Sequence, residues 1–142
     1  MALILALDQL PRNIFRGRAR AFASDAKALE LARHAIARGF DRELPAAPRM
    51  FLYLPFQHSE ELADQRRSVE LSAAMAEDPE SGNNLTYAKA HLEVIERFGR
   101  FPHRNALLGR RSTPEEEAYL AQPGAGFGGG AGAKDEAAGD KA

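Results

Sequence analysis

"SDAKALELARHAIARG", Ser24–Gly39, is the stretch that decides the fold. Ala28, Leu29, Ala32, Ala35 and Ile36 recur at intervals of three and four and not of two, which places them on one face of a helix. Ser24 is positioned to cap the first turn through its hydroxyl, Asp25 suits the positive N-terminal end, and Gly39 closes the far end. His34 falls in the last turn, where a cation beside the terminal carbonyls is favourable.

The same spacing extends in both directions. Met1 to Gln9 reads as a helix stopped at Pro11, because the residue before a proline avoids the helical region. "MFLYLPFQH", 50–58, is an apolar run broken by Pro55. It reads as a short helix ended near Leu54, with a buried loop or a strand as the alternatives. Ser59 opens a further helix, with Glu60 and Glu61 in its first turn and Leu62, Val69, Ala73 and Ala76 along one face as far as Pro79. A Ser-Gly-Asn-Asn turn at 81–84 leads into a helix from Leu85 to Phe98, with Leu85, Ala88, Leu92 and Ile95 as its stripe and Gly99 as its stop. Thr113-Pro114-Glu115-Glu116 is a capping box with proline at the first helical position. Strand periodicity is nearly absent, so the predicted fold class is all-α.

A chain of 142 residues is the size of one domain and can bury a real core. Residues 1–122 read as that helical domain. From Pro123 the chain turns to Gly, Ala and scattered charge, "PGAGFGGGAGAKDEAAGDKA", with too little apolar mass to offset ordering entropy, so 123–142 is predicted to be a disordered tail.

A formal net charge of −1 gives no global attraction to nucleic acid or to an anionic membrane. With no cysteine there are no disulfides, thiol nucleophiles or thiolate zinc sites, which fits a reducing cytosol. The apolar opening Ala2–Leu7 is too short for a signal sequence, and nothing approaches a membrane span. The protein reads as soluble and cytoplasmic. Arginine outnumbers lysine 15 to 4, a bias that composition alone explains.

One internal echo stands out. "LPRNIFRG" at 10–17 and "FPHRNALLGR" at 101–110 share an apolar residue, Pro, then Arg-Asn and further apolar residues, and two such corners can face each other across one groove. These words, within "ALILALDQLPRNIFRGRARAFASDAKAL", "FLYLPFQHSEELADQRRSVEL" and "HLEVIERFGRFPHRNALLGRRSTPEEEAYL", resemble the bacterial domain of unknown function 924 family over most of residues 2–120. The resemblance implies an all-helical, tetratricopeptide-like stack of helical hairpins and brings no established activity with it. Members of that family carry further helical sequence before the "LDQ" segment. The resemblance therefore also implies a chain shortened at its N-terminus, with apolar surface on Leu3 and Leu5 left uncovered.

Histidine titrates near neutral pH and is a common metal ligand, so the four histidines come first among chemical groups. His91 lies beside an apolar stripe with Tyr87, Val94 and Phe98, as a core histidine or a site residue. His58 precedes Ser59-Glu60-Glu61 and Asp64. His103 lies in "GRFPHRN", where Gly99 ends one helix, Pro102 sets the direction of the loop, Phe101 anchors it, and Arg100, His103, Arg104 and Asn105 are held on the corner. His58, Glu61, His91 and His103 are the candidates for a metal site, at a spacing that matches no metal motif, so no metal is assigned.

The arginines form a second constellation: four against one Asp over 8–20, five against no acid over 97–111, and two against seven acids over 57–82. One account is intramolecular, with Asp8, Glu61, Asp64 and Glu70 pairing these arginines. The other is an anion pocket in which Arg12, Arg16, Arg100, Arg104 and His103 clamp a phosphate or carboxylate, with His58, His91 and Asn105 as further candidate ligand contacts. Asn105 also suits a loop-satisfying role.

Two function classes remain. One is a helical binding module for a peptide or small anionic ligand. The other is a hydrolase acting on a phosphate or carboxylate substrate, with His58 or His103 as general base. No Gly-rich phosphate loop, HExxH or GxSxG is present, and the residues name no cofactor. Convergence of His58, His91, His103 and Arg104 on one pocket favours chemistry, and their dispersal favours a scaffold.

Overall fold

The structure, a computed structural model, describes residues 1–127. The described chain is all-helical: α1 (Ala2–Ile14), α2 (Asp25–Ala37), α3 (Ala46–His58), α4 (Leu62–Ala73), α5 (Asn84–Phe98) and α6 (Pro114–Leu120), with short 3-10 turns at Ala19–Phe22, Phe40–Glu43, Pro79–Ser81 and Pro102–Arg104. Each helix from α1 to α5 packs on the next, and α3 also touches α1 and α5. Among the described residues no helix is long and apolar enough to cross a membrane.

α2 runs as its spacing predicts, with Ala28 and Ala32 fully buried and Gly39 in the left-handed region at φ 74°. Its cap differs. The Ser24 hydroxyl donates to the Leu7 carbonyl at 2.6 Å instead of capping α2. The reason lies in α1, which does not stop at Pro11 but carries it inside and ends at Ile14. Proline has no N–H to give the carbonyl four residues back, and that carbonyl belongs to Leu7. Ser24 supplies the missing donor, so a tertiary contact lets the helix pass through its proline.

α3 likewise continues through Pro55 to His58 instead of ending near Leu54. Its side chains Leu52, Tyr53 and Phe56 are buried in the main core with Ile4, Ala32, Leu71 and Met75. That burial outweighs the local cost of proline.

α4 starts at Leu62 and not at Ser59, and it ends at Ala73, short of Pro79. Ala73 and Ala76, expected on its apolar face, are exposed. The buried face is mostly polar: Asp64, Gln65, Ser68 and Ser72, with Leu71 and Met75 beside them. A hydropathy pattern does not mark such a face.

α5 ends at Gly99, φ 72°, as expected, and the Thr113–Glu116 capping box of α6 forms in both directions. A second, smaller core joins Val94, Ile95 and the fully buried Phe101 with Leu62, Phe98, Tyr119 and Phe127. Phe127 falls in the segment expected to be tail, yet it packs here; residues 128–142 of that expected tail lie outside the described residues. On α1, Leu3, Leu10 and Ile14 are exposed.

Candidate functional site

His58 is the last residue of α3, and the way that helix ends fixes its position. The final carbonyls of a helix lack intrahelical donors. Here Gln65, fully buried on α4, gives Nε2 to the Gln57 carbonyl at 2.7 Å and the Ser59 carbonyl at 2.6 Å. Arg104 gives Nη2 to the His58 carbonyl at 2.9 Å. The 99–105 corner is thereby tied to the end of α3.

Glu60 makes the second tie. It accepts from the Phe101 N–H at 2.8 Å and from both terminal nitrogens of Arg110 at 2.8 and 2.9 Å. Burial alone would raise its carboxyl pKa, but the Arg110 and Phe101 hydrogen bonds outweigh burial and hold it below the usual range. Glu60 thus pins the loop, where a place in the first turn of a helix was expected.

The two echoing corners face each other across one cleft of about 270 Å3. Arg12 and Arg16 line it from one side and His103 and Arg104 from the other, with His58 and His91 between them and Phe22, Phe101 and Phe127 supplying apolar wall. Six of the eight predicted site residues are therefore together. Arg100 and Asn105 are not in the lining. Arg100 grips the buried carboxylate of Glu116 at 3.0 and 2.8 Å, and Asn105 donates to Glu116 and Ser112 while accepting from Arg110. Both hold the loop in shape. Glu61 is exposed and outside this cleft, and among the described residues no three acidic or histidine side chains are grouped to hold a metal ion.

Charge in the cleft is partly internal. Arg12 forks onto Asp25 at 2.6 and 2.9 Å, and Arg104 lies over the Phe22 and Phe101 rings at 4.6 and 4.7 Å. Burial pulls the Arg104 pKa down to about 10, which leaves it charged at neutral pH. Arg16 is exposed and forms no ion pair within the described residues. Among the acids expected to neutralise arginines, Asp64 meets Arg33, Glu70 meets Arg67, and Asp8 lies 3.5 Å from Arg12. Asp25, Glu60 and Glu116, which carry the main pairings around the cleft, were not foreseen.

The three cleft histidines are neutral at pH 7. Burial brings His91 and His103 down to about 4 and lowers His58 as well, against the opposing pull of Asp8. His91 gives Nδ1–H to the Tyr87 carbonyl at 2.7 Å, and its ring stacks on Phe127 with centroids 3.7 Å apart. His58 Nδ1 meets Asp8 Oδ1 at 2.7 Å, and Asp8 is 1% exposed. The Asp8 carboxyl is driven up by burial but more strongly down by His58 and Arg12, so it is ionised. Such a pairing fixes the tautomer with the proton on Nδ1 and leaves Nε2 as a lone-pair donor.

An all-helical domain whose two basic corners enclose a small histidine-lined cleft is what the fold and site define. The family of bacterial proteins of unknown function designated DUF924 matches residues 1–124, and the chain belongs to it. The solved structure of a protein of unknown function, ATU0120 from Agrobacterium tumefaciens, is similar at 48% identity and a TM-score of 0.78. The match covers 84% of this chain and 65% of that one. No curated protein matches the chain.

Proposed function

We propose that this protein binds a small anionic molecule, of the phosphate or carboxylate class, in the cleft between the two basic corners. The observation that carries this reading is the arrangement of three guanidinium groups, Arg12, Arg16 and Arg104, around one cleft whose lining, among the described residues, includes no carboxylate; Asp8 and Asp25 are the acids that meet Arg12, His58 and Arg104. With the histidines neutral, these groups together carry one positive charge in excess, at the exposed Arg16, which forms no ion pair among the described residues. Two buried polar atoms in its wall, Arg104 Nε and His103 Nδ1, have no partner among the described residues. Buried groups of that kind are ordinarily satisfied. A volume of about 270 Å3 suits a small molecule better than a peptide, and with no cysteine the chain suits a cytoplasmic setting.

The test is thermal stability in phosphate against chloride at matched ionic strength, because a ligand that binds only the folded state stabilises it by mass action. Wild type should show a phosphate-specific rise in Tm. Arg16→Ala, an exposed change, should alter the free protein by no more than about 0.5 kcal/mol and lose that rise. A wild type indifferent to phosphate, or a variant that keeps the full response, would remove the basis for the reading.

A further inference from the structure

We propose that His58 is a nucleophile within this cleft, accepting a phosphoryl group on Nε2 from a small phosphate monoester. The inference rests on the anion-binding reading of the same cleft and adds chemistry to it. Three observations converge on His58. First, Asp8, almost fully buried, holds Nδ1 at 2.7 Å, and Arg104 holds the residue's own carbonyl at 2.9 Å, so the ring is fixed in tautomer and in place. Second, among the described residues Nε2 has no hydrogen-bond partner, and His58 is part of the cleft lining. Third, the groups that share that lining are Arg12, Arg16 and Arg104, the donors suited to the charge of a phosphoryl group in transfer.

The other histidines lack this combination. His91 is oriented by a carbonyl, not a carboxylate, and Phe127 lies across its ring. His103 Nδ1 is buried without a partner among the described residues. His34 lies on α2, outside the cleft. A carboxylate-oriented imidazole with a free Nε2 is an activated nucleophile in the general sense.

The step balances without an absent cofactor. The Nε2 lone pair forms a bond to phosphorus as the phosphorus–oxygen bond to the alcohol breaks, and the departing oxygen takes a proton from water, leaving hydroxide. A second water then attacks phosphorus, the P–N bond breaks and its electron pair returns to Nε2, and the proton that the attacking water loses combines with that hydroxide to restore one water. Across the cycle one monoester and one water give one alcohol and one inorganic phosphate.

The probe is phosphoramidate, a small donor that phosphorylates free imidazole, applied to the full chain, with the four histidines compared by mass spectrometry of peptides kept at alkaline pH. His58 should be modified on the order of tenfold faster than His34 in the same sample, and inorganic phosphate should slow His58 and leave His34 unaffected. Asp8→Asn should lower the plateau rate at His58 and move the midpoint of its pH dependence downward, since the lost carboxylate supports the protonated ring; a purely structural role for Asp8 leaves that midpoint in place. Modification of His58 no faster than His34 in wild type overturns the proposal even where phosphate still raises Tm, which separates its failure from that of the binding site. The wild-type comparison needs no variant to fold.

Discussion

Glu116 shows how much one side chain can hold. It is 2% exposed and accepts from Arg100 twice, from Asn105 and from the Thr113 N–H. The Arg100 hydrogen bonds lead in holding its carboxyl down at about 2, against a smaller upward push from burial. Glu116→Ala removes two hydrogen bonds from Arg100, one from Asn105 and half of the capping box, and it should cost about 3 kcal/mol in urea unfolding at pH 7. Glu30→Ala, which breaks the exposed pair with Lys27, should cost less than about 0.5 kcal/mol. Comparable costs for the two would mean that burial of Glu116 is unimportant. The functional residues divide along similar lines. His58, His91, His103 and Arg104 were legible because their types are chemically distinctive and because His58 ends a helix, His103 and Arg104 follow Pro102, and His91 lies beside the apolar stripe of α5. Asp8, Asp25 and Glu60 were legible only as generic acids. His58 and Asp8 are separated by 50 positions, and no local spacing encodes a contact that tertiary packing creates.

Among the elements, the two prolines carried within helices, like both ends of α4, are places where local rules gave the wrong boundary. A proline frees a carbonyl, and whether the helix breaks depends on what meets that carbonyl. At Leu7 the answer is Ser24, from a different part of the chain. Ser24→Ala should destabilise by about 1 kcal/mol through the orphaned carbonyl. In a Pro11→Ala background the restored N–H can serve Leu7, and the same Ser24→Ala change should cost less. A double-mutant cycle by chemical denaturation measures the difference, and additive effects would show that the Ser24 bond does not compensate for the proline. Where burial is apolar and regular, as in α2 and α5, sequence and structure agree closely. α4 was misread because its inward face is built from Asp64, Gln65, Ser68 and Ser72, whose burial depends on partners in α2, α3 and α5, such as Arg33 and Asn84.

For the whole molecule, the histidines set the response to acid. In the unfolded chain they take up protons below about pH 6.5, whereas folded His91 and His103 do so only near 4, and folded His58 is lowered too. Between those limits the unfolded state binds more protons, so stability falls as pH falls. Tm at constant ionic strength should drop from pH 7 to pH 5, well above the range in which Glu116 or Asp8 becomes protonated. A flat profile across that interval would place these rings in contact with solvent.

The cleft is closed by opposite ends of the described chain. Arg12 and Arg16 come from α1 and its exit, and Gly126 and Phe127 complete the far wall beside His91. Pairs so distant in sequence form late, because loop closure must precede any gain from the contact, while α3, α4 and α5 pack on immediate neighbours. On a translating ribosome the helical stack therefore has everything it needs to assemble before the cleft does. Until residue 127 emerges, the face of His91 that Phe127 covers has no such cover, so a helical stack that assembles before then does so with its pocket unfinished.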